Sequence, residues 1–416
     1  MKDEILKKIE SYENYAIELQ RGLTAIPALA PESGGEGEYD KAVWIEKELK
    51  KLKFDSIEWI NAPQKEAKKG IRPNIIARYK GTKSNRTLWV MAHLDIVPPG
   101  EAKLWNSDPY KMEIDGRKLI GRGVLDNQQG IVSGILMLKA MMELNYRPEH
   151  DIALLLCADE ETGSGFGADF ISDNKPETFG KDDMFFVPDS GVEDGSLIEI
   201  AEKSILWQKV TTMGQQCHAS RPVEGINAFK AASELIVKFK SLYTKFPAKD
   251  ELFDTPFSTF EPTKKENNVP NVNTLPGEDV FYMDCRVMPA YQLQDVKDEM
   301  RRLADEVEKE HNVKISFEPQ QEAQAAPPTD ANSSLVKALK TSIKDIYKVE
   351  PKAYGIGGGT VAAFFRRLNL PVVVYARLNE TAHQPNEYCL LDSIIGDAQI
   401  FTATSFILEK EKAAKV

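Results

Sequence analysis

The sequence predicts an α/β domain, with a mostly parallel sheet flanked by helices, into which a ferredoxin-like α+β domain is inserted. Up to about residue 198, apolar segments typical of buried strands alternate with segments of helical periodicity. Between about 199 and 322 the order of elements becomes β-α-β-β-α-β, the split βαβ arrangement. The α/β pattern resumes afterwards. We therefore expect residues 1–198 and 323–416 to form one domain and residues 199–322 the insert.

The elements of the first domain follow from periodicity and from turn residues. Apolar runs bounded by turn residues predict strands at Pro73–Tyr79, Thr87–Ala92, Ile152–Ala158 and Met184–Pro188. Helical spacing predicts helices at about 3–27, 39–52 and 130–144, the third apolar nearly all round and therefore interior. After the insert we expect a helix at 333–347 and a second one that follows the Gly-rich segment 355–360 and ends at Arg367. A strand is expected at Pro371–Ala376 and a last helix at about 391–412.

The insert has its own set of predicted elements. Strands are expected at Lys203–Met213, Asn268–Thr274, Asp279–Val287 and Val313–Phe317. One helix is expected at about 225–243, and a second carries Val296, Met300, Leu303 and Val307 on one face. The Pro- and Phe-rich segment before Asn268 is predicted to be a loop.

Composition and charge exclude several classes of protein. The chain of 416 residues has a net charge of -11 and a pI near 5.2, which argues against a nucleic-acid-binding protein. No apolar run reaches the roughly 18 residues needed to span a bilayer. The charged N-terminus does not resemble a signal peptide. The four dispersed cysteines form no CxxC pair and indicate a reduced, cytoplasmic protein.

Three adjacent acidic residues, Asp159, Glu160 and Glu161, follow the predicted strand Ile152–Ala158. Like charges at the mouth of a buried strand repel one another and lose hydration, so they favour cation binding. The alternative is a solvated acidic loop.

Further candidate ligands also stand where predicted strands end. His93-x-Asp95 follows one strand, Asp189 follows another, and Asp126 and His383 lie in loops. Because ligands bind outside the carboxyl ends of strands in open α/β sheets, these groups are expected to converge. Imidazole and carboxylate ligands without thiolates suit zinc, cobalt or manganese. The two histidines that match no motif, His150 and His311, are predicted on the surface.

Six motifs in this order resemble the di-metal family of carboxypeptidase G, aminoacylase, acetylornithine deacetylase and succinyl-diaminopimelate desuccinylase. They are Met91–Pro98, Gly121–Asp126, Ala158–Gly163, Asp189–Gly191, His218–Pro222 and His383–Glu387. The resemblance covers most of the chain, including the insert, which in this family is a lid and dimerisation domain. It implies a zinc-peptidase-like fold for the other domain.

The resemblance implies a role for each residue of the metal site. Asp126 would bridge two divalent ions, with zinc expected and cobalt or manganese as the alternatives. His93 and Asp189 would complete one ligand set, and Glu161 and His383 the other. Asp95 would accept the imidazole N–H of His93 and fix its tautomer. Glu160 would be the general base, taking a proton from water and delivering it to the leaving amine. The peptide bond after Asp126 is expected to be cis.

The insert would contribute a second set of residues. His218 resembles the family histidine that reaches a neighbouring subunit's active site and stabilises the oxyanion; a surface histidine is the alternative. Arg286 resembles a carboxylate clamp, but an ion pair with Asp284 explains it equally well. Asn273 resembles a substrate-binding residue or an ordinary turn asparagine. Gly358 and Gly359 lie in a turn that would line the substrate pocket; it lacks the Gly-Lys-Ser/Thr ending of a phosphate loop.

The sequence thus predicts a dinuclear metallohydrolase that cleaves a C–N bond of a small carboxylate-bearing substrate, as N-acyl-amino-acid deacylases do. A dipeptidase or aminopeptidase of the same family is the alternative, and a binding protein that has lost activity is a further one. The expected partners are an acyl-amino acid or short peptide and a second copy of the chain, joined through the lid, with no nucleic acid and no membrane. Two departures from the family pattern, Gln128 for a lysine and Val361 for an acidic residue, concern substrate identity.

Overall fold

The computed structural model describes residues 1–413, with side chains described up to residue 410. The chain forms two compact units. One consists of Met1–Ile200, Thr329–Ala353 and Phe364–Val416, and the other of Ala201–Pro328 and Tyr354–Ala363. The Gly-rich segment around Gly358 belongs to the second unit, whereas the boundaries predicted from the sequence place it with residues 323–416.

The helices are α1 (Lys2–Glu10), α2 (Glu13–Thr24), α3 (Tyr39–Leu49), α4 (Gln128–Glu143), α5 (Ala168–Asn174), α6 (Ala228–Phe239), α7 (Leu242–Lys245), α8 (Leu293–His311), α9 (Ser334–Tyr347), α10 (Ala362–Arg367) and α11 (Leu391–Ala413). The strands are β1 (Ser56–Pro63), β2 (Ile71–Tyr79), β3 (Thr87–His93), β4 (Glu113–Asp115), β5 (Lys118–Ile120), β6 (Asp151–Cys157), β7 (Met184–Val192), β8 (Leu197–Glu202), β9 (Ser204–Met213), β10 (Cys217–His218), β11 (Thr259–Lys265), β12 (Thr274–Leu275), β13 (Glu278–Val287), β14 (Lys314–Ala323), β15 (Lys352–Ile356), β16 (Val372–Arg377) and β17 (Tyr388–Leu390).

An eight-stranded sheet in the order β1-β2-β6-β3-β7-β16-β8-β15 organises the first unit. Its four central strands, β6, β3, β7 and β16, are parallel to one another. The pairs β1–β2, β2–β6 and β16–β8 are antiparallel. The prediction of an α/β domain with a mostly parallel sheet flanked by helices is confirmed, with antiparallel pairs added on either side of the parallel centre.

The core of this unit lies between the central strands and α4. Every residue of β3 is buried, as are most residues of α4, in agreement with their continuous apolar sequences. A side chain at Gly134 would come within 2.8 Å of Leu154, so this glycine lets α4 approach the sheet closely. The rings of Trp89, Phe185 and Phe365 stack with centroids 5.6 and 4.3 Å apart. These rings pack near the amino ends of β3 and β7.

The second unit contains the sheet β11-β13-β9-β14, with every pair antiparallel. Its core includes Leu235 and Phe239 of α6 and Val296, Met300 and Leu303 of α8. The inserted β-α-β-β-α-β arrangement is therefore confirmed.

Two predicted elements are wrong in detail. The segment predicted as the second strand of the inserted sheet, Asn268–Thr274, is not a strand except at Thr274. The strand that takes this place in the four-stranded sheet is β11, Thr259–Lys265. This strand lies at the sheet edge, contains Pro262 and exposes most of its side chains, so it lacks the apolar alternation of a buried strand. The helix predicted at 3–27 is two helices. Ser11 Oγ donates to Lys8 O at 2.6 Å at the break between them.

Within residues 1–413, no helix combines the length and the apolar character needed to cross a bilayer.

The surface position predicted for His150 is wrong. Its side chain is buried, and its Nε2 lies 3.0 Å from Ser405 Oγ.

Asp397 in α11 is a buried carboxyl outside the predicted set of site residues. It accepts hydrogen bonds from Gln129 Nε2 (2.9 Å) and Tyr347 OH (3.0 Å). Burial raises its pKa to about 7, although these hydrogen bonds oppose the shift. In the unfolded chain its pKa is about 3.9. The folded protein therefore binds an extra proton between these two values, and this contribution to stability is lost as the pH rises through about 7.

We expect Asp397→Asn to remove this dependence, since asparagine cannot ionise. The free energy of unfolding of the wild type, relative to that of Asp397→Asn, should fall by about 1.4 kcal/mol per pH unit between the two pKa values. Urea denaturation from pH 5 to 8 measures this difference. Asp345→Asn, at an exposed position of α9, is the control. Parallel stability curves for the wild type and Asp397→Asn would contradict the prediction.

Candidate metal centre

Three of the five predicted ligands, His93, Glu161 and Asp189, lie at or near the ends of three neighbouring parallel strands of the first unit. His93 is the last residue of β3, Glu160 and Glu161 follow β6, and Asp189 lies towards the end of β7. The strand order β6-β3-β7 places these carboxyl ends side by side at one edge of the sheet. The predicted crevice of converging imidazole and carboxylate groups is present.

One group of ligand atoms surrounds His93. Its Nε2 lies 2.8 Å from Asp126 Oδ1 and 3.5 Å from Asp189 Oδ1. Burial alone would lower the pKa of His93. Hydrogen bonds to Asp126 and Asp189 outweigh burial and raise the pKa well above its ordinary value. The imidazole is thus directed at two carboxylates, as a metal ligand would be.

A second group surrounds His383, which comes from the loop after β16. Its Nε2 lies 3.1 Å from Asp126 Oδ2 and 3.1 Å from Glu161 Oε2. Hydrogen bonds to these two carboxylates raise the pKa of His383 to about 10. Asp126 therefore presents one oxygen to each histidine, which is the arrangement expected of a bridging carboxylate.

These atoms fit a pair of divalent ions. Ligands placed tetrahedrally at 2.0–2.1 Å from zinc are roughly 3.3 Å from one another. The distances between ligand atoms of 2.8 to 3.5 Å agree with that spacing. Each group also mixes imidazole and carboxylate donors without a thiolate, which suits zinc, cobalt or manganese.

Glu160 lies beside the first group. One of its carboxylate oxygens is within 4.8 Å of the ligand atoms of His93 and Asp189. Burial, reinforced by the negative charge of Asp189, raises the pKa of Glu160 well above its ordinary value. A carboxylate with a raised pKa next to a metal ligand set is suited to accept and return a proton.

Asp95 holds the acidic turn that carries Glu160 and Glu161. Its carboxylate oxygens accept hydrogen bonds from the backbone N–H groups of Glu160 (3.1 Å) and Glu161 (3.0 Å). The Nδ1 atom of His93 lies 3.1 Å from the backbone oxygen of Asp95 and 3.4 Å from its carboxylate. Asp95 thus orients both an imidazole and the two glutamates, more than the sequence predicted.

Glu387 supports the segment that carries Asp126. Its Oε1 accepts hydrogen bonds from the backbone N–H groups of Gly123, Leu125 and Asp126 at 2.9 to 3.2 Å. Its other oxygen pairs with the buried guanidinium of Arg122 at 2.5 Å. The Asp126–Asn127 peptide bond is cis, as the resemblance implies. Glu387 is the last residue of the motif His383–Glu387, so the sequence contained a signal for it. The sequence analysis nevertheless assigned it no role.

A buried ion pair supports the acidic turn from the other side. Arg72 Nε donates to Glu38 Oε2 at 2.6 Å, and Arg72 Nη1 lies 3.3 Å from Asp159 Oδ1. Asp159 also accepts a hydrogen bond from the backbone N–H of Phe166 at 3.0 Å. No motif pointed to Arg72 or Glu38.

Residues 89–405 match the model of peptidase family M20/M25/M40. This chain belongs to the M20 peptidase family. The resemblance to di-metal peptidases and amidohydrolases is thus confirmed, and the M20 chain is a metallohydrolase that acts on amide or peptide bonds.

Several proteins are similar to this M20 chain. It is 38% identical to an uncharacterised metallohydrolase of Methanococcus maripaludis, over 94% of this chain and 99% of that protein. It is 25% identical to succinyl-diaminopimelate desuccinylase 1 of Alteromonas mediterranea, over 81% of this chain and 85% of that protein. The crystal structure of human carnosine dipeptidase 1 superimposes with a TM-score of 0.71 at 17% identity, covering 98% and 99% of the two chains. The likeness to carnosine dipeptidase 1 shows that the two chains share a fold.

The remaining predicted site residues of the M20 chain lie in its second unit. His218 is exposed, and its Nδ1 accepts hydrogen bonds from the backbone N–H (3.1 Å) and hydroxyl (2.7 Å) of Ser220. Arg286 forms a bidentate ion pair with Asp284, with nitrogen–oxygen distances of 2.7 and 3.0 Å. The sequence analysis gave this ion pair as the alternative to a substrate clamp. Its Nη1 donates to Gly357 O at 3.0 Å.

Asn273 accepts a hydrogen bond from Asn271 on its side chain and one from the backbone N–H of Ala219 (2.9 Å) on its carbonyl. Gly358 is half-buried and Gly359 exposed, and a side chain at Gly358 would meet no neighbouring atom. Substrate binding by Arg286, Asn273, Gly358 and Gly359 stays a prediction.

Proposed function

We propose that this chain uses two divalent ions to hydrolyse the amide bond of a small substrate with a carboxylate beside that bond, as N-acyl-amino-acid deacylases do. The observation that carries the proposal is the position of Asp126, with one oxygen 2.8 Å from His93 Nε2 and the other 3.1 Å from His383 Nε2. The sequence similarity to succinyl-diaminopimelate desuccinylases supports the deacylase type. Dipeptides, the alternative substrates, share the same amide and carboxylate and differ on the acyl side.

His93, Asp126 and Asp189 would hold one ion, and His383, Asp126 and Glu161 the other. We propose zinc, with cobalt or manganese as the alternatives. When bound, such ions polarise a carbonyl and lower the pKa of water. Glu160 takes the proton from the attacking water and returns it to the leaving amine. Asp95 keeps Glu160 in place through the backbone N–H.

His218 is suited to stabilise the oxyanion that forms during attack. Its Nδ1 accepts from the backbone N–H of Ser220, so in the neutral ring the proton resides on Nε2. Nε2 is therefore a hydrogen-bond donor, as an oxyanion requires. We propose that it acts on the site of a second copy, in a homodimer joined through the lid domain (residues 199–322).

The cytoplasm stays the proposed location, since all four cysteines are free.

Mixing two inactive variants tests action between subunits. His218→Ala keeps Glu160, and Glu160→Gln keeps His218, so a heterodimer of the two contains one complete site. After subunit exchange in an equal mixture, we expect about a quarter of wild-type activity, because half of the dimers are mixed and each has one active site. Each variant alone is the control. A mixture no more active than its components would contradict action between subunits.

A metal-supplemented activity screen tests the proposed function. The protein is freed of metal with a chelator and reloaded with zinc, cobalt or manganese. N-acetyl- and N-succinyl-amino acids and dipeptides are then supplied, and release of the free amine is measured. We expect hydrolysis that is lost on chelation and restored by metal. Absence of hydrolysis with every metal and substrate would contradict the proposal and favour a binding protein on this fold.

A further inference from the structure

A lysine lies on the buried face of α3. This face also contains Ala42, Ile45 and Leu49, and Lys41 is only 1% exposed. Its Nζ atom is shielded from solvent, and within residues 1–410 it forms neither a hydrogen bond nor an ion pair. Lysine is almost never fully buried unless it is paired, because its ammonium group loses hydration. The cost of burying this group indicates that it has a role in the protein.

Three carboxylates exert the strongest charge effects on Lys41: those of Asp95, Glu38 and Glu387, with Asp95 first. Glu38 directly precedes α3 and lies one helical turn before Lys41, so the two side chains are neighbours. Burial lowers the pKa of Lys41 to about 8, although the three carboxylates oppose this shift. At neutral pH the lysine therefore keeps its proton and provides a positive charge to this group of acids.

Two of these carboxylates hold the segments of the metal centre. The Asp95 oxygens accept the backbone N–H groups of Glu160 and Glu161 at 3.1 and 3.0 Å. Glu387 Oε1 accepts the backbone N–H of Asp126 at 3.2 Å. Both carboxylates are buried, so their positions depend on the charges around them. A charge that acts on both can therefore affect the base and a metal ligand together.

Asp95 differs from the other two carboxylates in its ion pairs. Glu38 and Glu387 each pair with an arginine. The ion-pair partner of Asp95 is the imidazole of His93, at 3.4 Å, and among residues 1–410 no lysine or arginine forms an ion pair with it. The positive charge of Lys41 thus compensates a carboxylate that has no lysine or arginine pair of its own.

We propose that Lys41 is a positioning residue whose buried positive charge acts through Asp95 to hold Glu160 at the metal centre. The inference rests on the proposed function and adds a residue to it. Lys41 needs no hydrogen bond for this role, since attraction between charges is stronger in the interior than in water. Loss of the charge lets the Asp95 carboxylate move, and the backbone N–H of Glu160 moves with it. The carboxylate of Glu160 is then displaced from the attacking water.

Lys41→Met tests this inference, because methionine has a side chain of similar length and no charge. The zinc-loaded variant is assayed with the acyl-amino acid or dipeptide that the wild type hydrolyses fastest. We expect kcat to fall by about 10- to 100-fold, since misplacement of a reacting group by about 1 Å can cost about 10²-fold. KM should change little, because Lys41 does not bind substrate. Lys41→Arg, which keeps the charge, should recover part of the loss, and Lys47→Met, at an exposed position of α3, is the control.

A double-mutant cycle with Asp95→Asn distinguishes this role from a structural one. Asparagine has the shape of aspartate without its charge, so the charge on which Lys41 acts is already absent. The double variant should then be no less active than Asp95→Asn. A second cycle measures the free energy of unfolding of the metal-free proteins in urea, where the effects of the two substitutions should not add.

Three results would overturn this inference and leave the proposed function standing. They are an unchanged kcat in Lys41→Met, a loss of kcat that circular dichroism traces to unfolding at the assay temperature, and effects that combine independently in either cycle. A wild type that hydrolyses none of the substrates with any metal would overturn the proposed function. The unfolding cycle would then still decide whether Lys41 and Asp95 interact.

Discussion

Replacing Glu160 with glutamine is expected to lower kcat by about 10²- to 10⁴-fold while the protein keeps its metal ions. Glutamine has the size of glutamate but cannot accept the proton of the attacking water. The ligand atoms near each histidine are supplied by Asp126, Asp189 and Glu161, so loss of the Glu160 carboxylate leaves both ligand sets intact. Steady-state kinetics and elemental analysis of the same sample measure the two quantities.

Glu161→Gln is the matched control, because it makes the same chemical change one residue further along the chain. Its carboxylate lies 3.1 Å from His383 Nε2, so this variant should lose metal as well as activity. Glu160 is also close enough to His93 and Asp189 to act as a ligand. Loss of metal from Glu160→Gln would therefore show that it is a ligand, and an unchanged kcat would refute its role as the base.

Replacing Asp126 with alanine is expected to abolish binding of both metal ions and with it all measurable turnover. Each of its two oxygens lies within 3.1 Å of a different histidine, so one substitution removes a ligand from both sets. His93→Ala and His383→Ala each remove a ligand from one set and should weaken one ion more than the other. Zinc titration by calorimetry distinguishes these patterns. Asp126→Ala with an undiminished metal content would contradict the bridging role.

The central strands and the convergence of three candidate ligands at their ends were predictable because their signals are local. β3, β6 and β7 are short apolar runs, and His93, Glu161 and Asp189 stand at or near their ends. Sheet topology then brings these ends together without further information. The roles of Asp126 and His383 came from the resemblance to the family, since each lies in a loop whose course no periodicity describes.

The supporting ion pairs were not predictable, because their partners are distant in sequence. Arg122 and Glu387 are 265 positions apart, and Arg72 and Glu38 are 34 apart. A single sequence shows no pattern that links such residues. Burial makes these pairs important, since removing one partner would leave an unpaired charge in the interior.

The errors have similar causes. β11 was missed because an exposed edge strand with a proline and two lysines resembles a loop. His150 was placed on the surface because it matches no motif, and no local signal indicates its contact with Ser405, which lies 255 residues further along the chain. The sequence left two explanations for Arg286, a substrate clamp and an ion pair with Asp284. The structure shows the bidentate ion pair.

Anomalous X-ray scattering from crystals grown with zinc, recorded at the zinc edge, tests the central claim most directly. The account predicts two peaks on either side of the Asp126 carboxylate, roughly 3.5–4 Å apart, one next to His93 and the other next to His383. A single peak, or peaks that do not involve Asp126, would contradict it.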